Sequence, residues 1–410
     1  MNKEELMKVL MINSVSGIRS TGRICTDLAD ALMEKGHECK IAYGRETVPE
    51  KYKDISYRIG SDADVRLHAL KARLFDSAGF GSKKATERLV KKIKEYDPDI
   101  IHLHNIHGYY LDIEILFNYL ATADKPVVWT LHDCWAFTGH CSYFDYSKCD
   151  KWRDGCKNCP QKGSYPSSLF LDRSELNWVK KKNLFTNVKD MMLVTPSGWL
   201  AALAEKSFLG KFPVKVINNG IDTEVFKPTH GSFRTAYKLE NKKIILGVAS
   251  VWDKRKGLDD FIKLADLIDD NYKIVLVGVN EKQKKILPSN IIGISRTNNI
   301  TDLAEIYTAA EVFVNTTYED NYPTVNLEAQ ACGTPAVTYN TGGSVESVPK
   351  SNIVPQGNID SLAEIIKLKK YTYDSNLIFD FSKRIFIKKY IDIYNRMITR
   401  GAVDYDNSKY

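Results

Sequence analysis

Several features that would assign a class at once are scarce or missing in these 410 residues. No run approaches the roughly 20 apolar residues of a membrane-spanning helix. The opening stretch, "MNKEELMKVLMINSV", lacks an apolar core long enough for a secretory signal. The expectation is a cytoplasmic protein whose eight cysteines are thiols or metal ligands rather than disulfides. Glycine and proline, at 24 and 13 residues, stay near background, and no internal repeat, low-complexity tract or long linker occurs. Fibrous and disordered classes are thereby excluded. The turn "SGIRSTGR" (16–23) lacks the G-x-G-x-x-G spacing, which argues against a dinucleotide fingerprint.

What is present is alternation. Short apolar runs rich in β-branched residues alternate with longer helical patterns, which implies parallel sheets covered by helices, an α/β class. In the first half "KVLMINSV" (8–15), "CKIAYG", "DIIHLH", "VVWTLH" and "MMLVTP" read as strands, and "TDLADALMEKG" (26–36) as a helix closed by Gly36. The pattern restarts with "KIILGVASV", "KIVLVG", "EVFVNTT" and "PAVTYN", separated by the helical "GLDDFIKLADLI", "TDLAEIYTAA" and "TVNLEAQACG". Two doubly wound domains in series fit this better than one large sheet, with a cleft between them as the expected ligand site. The boundaries expected are 1–212 and 213–380. The stretch 381–410 would form a helix that either returns to the first domain or caps the second.

The formal charge of +7 favours polyanions, nucleotide phosphates or an acidic membrane surface without choosing among them. Segment 66–95 is basic and roughly amphipathic, with Leu67, Leu70, Leu74, Leu89 and Ile93 among many Lys and Arg. It fits a solvated helix pair or a membrane-facing patch.

In open α/β sheets ligands bind beyond the carboxyl ends of strands. Two such loops in the second half are chemically loaded. One is "WDKRKG", carrying Lys254, Arg255 and Lys256. The other is "YEDNYPTVNLEAQACGTPAV" (318–337), in which Glu319 and Asp320 precede a proline and a helix carrying Glu328. Pro323 suits a first helical turn and Gly333 an end. The N–H groups of Thr324, Val325 and Asn326 would then form a phosphate site. An acid, a helix N-terminus and a second acid match the sugar diol, diphosphate and ribose diol of a nucleotide sugar. Lys256 would neutralise the phosphates. The plain alternative is a surface acid plus a helix glutamate that favours the dipole.

The series "VINNGID…F.P" (216–228), "RKG" (255–257), "DLAEIYTAAEVFVNTTYED" and "LEAQACGTPAVTYNTGGSVE" resembles the retaining family-4 glycosyltransferases, which have the two-domain, Rossmann-like GT-B fold. The resemblance implies two donor-binding acids with seven residues between them. That spacing selects Asp320 for the transferred sugar and Glu328 for the ribose, with Glu319 one position out of register as the alternative. It also implies a diphosphate-binding lysine at Lys256, with Arg255 or Lys254 in place of a missing arginine. Gly22 is the nearest match to a glycine that approaches the donor phosphates, and His132 to a histidine near the transferred sugar. His102, His104 and His107 are either acceptor contacts or a core network.

The implied activity is hexosyl-type transfer from a nucleoside diphosphate sugar to a hydroxyl of a saccharide or lipid-linked saccharide, with retention and without a metal. The setting would be capsule, exopolysaccharide or O-antigen synthesis, in the cytoplasm or at the inner face of the plasma membrane, with a peripheral membrane contact. Alternatives are an epimerase or phosphorylase on the same scaffold, or a zinc-bearing nucleic-acid binder; nucleic acid is not expected as a partner. No carboxylate pair of the hydrolase type stands out in the first half.

Five cysteines fall within 134–159. Cys141, Cys149, Cys156 and Cys159 would hold a structural zinc, or stand as buried thiols. This insertion, directly after His132, would shape the acceptor site.

Overall fold

The computed structural model describes residues 6–400. The chain divides into two compact units, one of 1–217 with 387–410 and one of 218–386.

The first unit is built on a seven-stranded parallel sheet. Its strands are β1 (Lys8–Asn13), β2 (Glu38–Tyr43), β3 (Ser56–Arg58), β4 (Ile100–Leu103), β5 (Val127–Thr130), β6 (Met191–Thr195) and β7 (Val214–Val216). The order is β3-β2-β1-β4-β5-β6-β7. The central strands β4 and β5 are buried at every residue, as a parallel sheet covered on both faces requires. Helix Lys83–Tyr96 shows how the cover is written: Ala85, Leu89 and Ile93, four residues apart, are buried while the lysines face out. Helix termini carry their own signals. Ser61 and Asp64 form a capping box, and Asp112 and Ser197 accept N–H groups three residues on.

The second unit carries β8 (Lys243–Val248), β9 (Tyr272–Val277), β10 (Ile291–Ile294), β11 (Val312–Asn315), β12 (Ala336–Tyr339) and β13 (Ile353–Val354). Their order is β10-β9-β8-β11-β12-β13, parallel throughout.

The division falls at Ile217/Asn218, five residues beyond the expected 212/213. Strand β7 accounts for the difference. Val214 to Val216 pair with Leu193 to Thr195, so the short run "VKV" closes the first sheet instead of opening the second. The last helix, Lys383–Arg400, is shared in the division. Lys383 N–H bonds to Ile221 O at 2.7 Å within the second unit. Residues from Ile387 on count with the first, where Tyr390 and Tyr394 are buried. Residues 401–410 of the expected 381–410 segment lie outside the described residues.

Candidate active site

In the second unit the strand order reverses between β8 and β11, since β9 and β10 lie on one side of β8 and β11 to β13 on the other. The loops leaving these two strands diverge around a topological switch point. Here they are also sewn together. Tyr318 N–H bonds to Arg255 O at 2.7 Å, and Thr316 Oγ1 donates to Lys256 O at 2.9 Å. Gly257 closes the joint with φ at +71°, and a Cβ there would stand 2.5 Å from Thr316 O. Only glycine fits such a backbone approach.

The joint fixes the predicted donor residues. Lys256 Nζ stands 2.5 Å from Asp320 Oδ2. Asp320 Oδ1 accepts from Asn321 N–H, which holds the carboxylate toward the lysine. Arg255 is turned elsewhere: its Nη1 donates to Glu319 O at 2.9 Å, bracing the loop backbone. Glu319 itself is buried, whereas Asp320 retains access to solvent.

Helix Thr324–Ala331 follows, with Pro323 as its N-cap rather than its first helical residue. The consequence concerns the expected anion site. Asn326 N–H is taken by Pro323 O at 3.2 Å, which leaves Thr324 and Val325 as the leading donors. The Asn326 side chain is buried and structural, accepting from Asn315 at 2.8 Å and donating to Ser347 at 2.8 Å. At the other end Gly333 N–H bonds to Gln330 O and Thr334 N–H to Ala329 O, with Gly333 at φ +87°. This is the Schellman pattern that "CGTP" announces. Glu328 lies inside the helix, buried, with Oε2 accepting from Tyr307 Oη at 3.0 Å. Tyr307 lies in "AEIYTAA", where the helical pattern alone gives no sign of a polar role.

In the first unit the corresponding switch point is β1/β4. Asn13, at the end of β1, ties the two loops, bonding Val15 O and receiving Asn105 N–H. Gly22 is not in the loop. It lies within helix Arg19–Glu34, where a Cβ would press on Val15 Cγ2 at 3.0 Å, and Gly17 is the loop's left-handed residue.

Four histidines gather at the carboxyl ends of β4 and β5. His104 Nδ1 is 3.1 Å from His132 Nε2, with their rings stacked. His102 sits between Tyr394 Oη at 2.6 Å and Thr130 Oγ1 at 2.8 Å, and Thr130 meets Tyr390 Oη at 2.9 Å. His107 Nε2 pairs with Asp133 at 2.8 Å and its Nδ1 meets Tyr165 Oη at 3.2 Å. Burial lowers the His132 pKa to about 4 and that of His102 to about 3, so both rings are neutral near pH 7. Burial raises Asp133, but His107, the Trp135 N–H and His132 together outweigh it and leave the carboxyl below its usual range. His104 Nε2 is buried without a hydrogen-bond partner among the described residues, an uncommon state for an imidazole nitrogen. His102 therefore belongs to a core network, while His104, His107 and His132 form a polar group around the loop ends.

Cys141, Cys149, Cys156 and Cys159 all line one small cavity of about 10 Å³. The expected zinc finds no support there: among the described residues no three His, Cys, Asp or Glu side chains are grouped to hold a metal ion. Instead, a thiol hydrogen bond from Cys141 lowers Cys159 to about 7 and raises Cys141. Gly139 N–H donates to Cys156 Sγ at 3.2 Å. The insertion is held mainly by packing. Phe137, Phe144 and Trp152 cluster, and buried Lys181 donates to Trp135 O and Thr138 O.

Residues 21–225 match the family described as Glycosyltransferase Family 4, and residues 232–370 match Glycosyl transferases group 1. WcaC of Escherichia coli (strain K12), named for colanic acid biosynthesis glycosyl transfer, is 24% identical over 383 residues, 88% of this chain and 89% of its own. A Campylobacter jejuni protein named N,N'-diacetylbacillosaminyl-diphospho-undecaprenol alpha-1,3-N-acetylgalactosaminyltransferase is 24% identical over 176 residues, 39% of this chain and 46% of its own. Among solved structures, Anabaena HepE in complex with UDP and glucose superposes with a TM-score of 0.66 at 16% identity. It covers 95% of this chain and 100% of its own. At that identity the likeness concerns the fold.

Proposed function

The chain belongs to Glycosyltransferase Family 4, and from that premise we propose that it moves a sugar from a nucleoside diphosphate sugar to a hydroxyl, with retention at the anomeric carbon. The observation that carries the assignment of residues is the sewn pair of loops at the β8/β11 switch point, with Lys256 and Asp320 in contact at 2.5 Å. A lysine already matched to a carboxylate is positioned to exchange that partner for a diphosphate. The exchange frees Asp320 to accept sugar hydroxyl hydrogen bonds, and the N–H groups of Thr324 and Val325 add the helix dipole to the phosphates. Asp320, rather than buried Glu319, is the acid on the sugar side. Glu328, oriented by Tyr307, receives the ribose hydroxyls.

The neutral His132 ring serves the transferred sugar, and the His107–Asp133 pair serves the acceptor. The leaving diphosphate takes the acceptor proton, so Lys256 and the helix N-terminus supply the stabilisation that rises as charge develops. No metal is assigned a step. The acceptor is a saccharide or lipid-linked saccharide, in keeping with the names of the E. coli and C. jejuni relatives, and surface polysaccharide synthesis in the cytoplasm is the setting.

A thermal-shift screen of nucleoside diphosphate sugars tests the donor site. At least one should raise the melting temperature of the natural chain and fail to do so with Glu328→Ala. If none shifts the natural chain, the donor assignment is wrong. NMR of the glycoside formed from the active donor reads the anomeric configuration. An epimerase or phosphorylase would give no transfer from a nucleoside diphosphate sugar to an acceptor hydroxyl.

A further inference from the structure

The two helices of the basic segment differ in what they do with their apolar residues. Helix Lys83–Tyr96 buries Leu89 and Ile93, whereas helix Asp62–Phe75 turns Leu67 and Leu70 outward, at 55% and 54% exposure. A second exposed apolar group lies a hundred residues further on. Leu169 and Phe170 are 64% and 69% exposed, followed by Leu171, and helix Ser174–Phe185 adds exposed Leu176 and Val179.

These segments share one surface of the first unit. Leu169 N–H bonds to Arg73 O at 2.7 Å. Arg173 N–H bonds to Asp76 Oδ2 at 2.7 Å, and Asn177 Nδ2 donates to Asp76 O at 2.7 Å. The Arg173 guanidinium lies 6.0 Å from the Phe75 ring. Exposed basic residues run through the same segments: Arg66, Lys71, Arg73, Arg173, Lys180 and Lys182. The local acids are fewer: Asp62 pairs with Arg58, Asp64 is held in the capping box with Ser61, Asp172 accepts from Cys159 N–H and Ser174 N–H, and Glu175 is exposed.

We propose that this face, residues 165–182 with helix Asp62–Phe75, docks on a membrane surface containing anionic lipid. Three consecutive large apolar side chains stand 40–69% exposed at a loop tip, and an exposed apolar patch of this kind marks an interaction surface. The mixture of apolar tips and basic side chains suits the boundary between headgroups and acyl chains. Charge decides against a second copy of the chain. A two-fold contact would set the six basic residues of one copy against those of the other. No helix among the described residues is long and apolar enough to cross a membrane, so the attachment is peripheral. The face also connects to the histidines: Tyr165, four residues before Leu169, meets His107 through its hydroxyl at 3.2 Å. An acceptor held in the membrane plane would approach along that loop. The docking inference stands apart from the donor assignment, which the nucleotide-sugar screen tests separately.

Sedimentation of the full chain with vesicles provides the test. The natural chain should bind phosphatidylcholine vesicles containing phosphatidylglycerol, bind phosphatidylcholine alone far less, and release as salt is raised. A Leu169→Ser, Phe170→Ser double variant should lose affinity at least about tenfold, the order expected for withholding a large apolar side chain. Its melting temperature should be unchanged. Phe170→Trp gives a direct reading in a folded chain, with a blue shift of the added indole emission expected on anionic vesicles. Failure of the natural chain to bind anionic vesicles, or undiminished binding by the double variant, overturns the proposal. So does an unshifted emission from the Phe170→Trp variant, or a change of oligomeric state in the double variant with vesicle binding retained.

Discussion

Replacing Tyr307 by Phe isolates a single atom in the candidate donor site. The ring is fully buried and packs on Phe226 and Phe313, with centroids 6.2 and 5.7 Å away, contacts that phenylalanine preserves. What is lost is the hydroxyl that donates to buried Glu328 Oε2 at 3.0 Å. A hydrogen bond to a charged acceptor contributes about 1.5–3 kcal/mol, and losing it strands part of a desolvated carboxylate. For a unit the size of Asn218–Phe386 each kcal/mol moves the midpoint by roughly 2–4 °C. Calorimetry should therefore show the transition of this unit falling by about 3–12 °C. In steady-state assays the donor KM should rise with kcat nearly unchanged, because ribose binding is held equally in ground and transition states. A double-mutant cycle with Glu328→Gln should give a coupling of about 1 kcal/mol or more. A stability loss under about 0.5 kcal/mol, with no coupling, would refute the claim that Tyr307 orients Glu328.

Other consequences follow from neighbouring contacts. Lys256→Met should change stability by no more than about 1 kcal/mol, since its pair with Asp320 is only partly buried. It should nevertheless lower kcat/KM by about 100-fold or more, measured with the identified donor. Gly257→Ala forces a side chain against Thr316 O at φ +71° and should both lower the melting temperature and abolish the nucleotide-sugar thermal shift. His102, pushed down to about 3 by burial, is neutral in the fold but titrates near 6.5 when unfolded. Stability is then complete above about 6.5 and declines as pH falls toward 3. Urea midpoints across that range should follow the decline, and His102→Gln should make it shallower. Limiting iodoacetamide followed by peptide mapping should label Cys159, lowered to about 7, before buried Cys25 and Cys39.

The parts of the fold legible in the sequence are those where one local rule decides. Strands β1, β4, β5, β8, β9 and β11 are apolar runs because both sheet faces are covered. The Schellman end at Gly333 is fixed by the few residues that form it. Edge strands are illegible for the converse reason. Val214–Val216 spans three residues, with Lys215 and Val216 exposed, so it carries no apolar signal and exists only because β6 offers a pairing edge. The same limit applies to the site. The spacing of Asp320 and Glu328 is visible in the sequence, but whether Asp320 or Glu319 faces outward depends on Arg255 gripping Glu319 O, a contact across 64 residues of sequence.

The last helix carries this reasoning furthest. As an amphipathic run, "FSKRIFIKKYIDIYNRMI" would serve equally as a cap on either unit, because its apolar stripe is satisfied by any apolar surface. The polar atoms within that stripe break the degeneracy. Tyr390 and Tyr394 are buried, and a buried phenol needs a partner. Thr130 and His102 supply those partners across 260 and 292 residues of sequence. The helix is thus registered to the sheet ends that carry His104 and His132 by two hydrogen bonds rather than by hydrophobicity. His102 of "HLHNIH" is accounted for by holding that helix in place, and the chemistry proposed for this region rests on the neighbouring histidines instead.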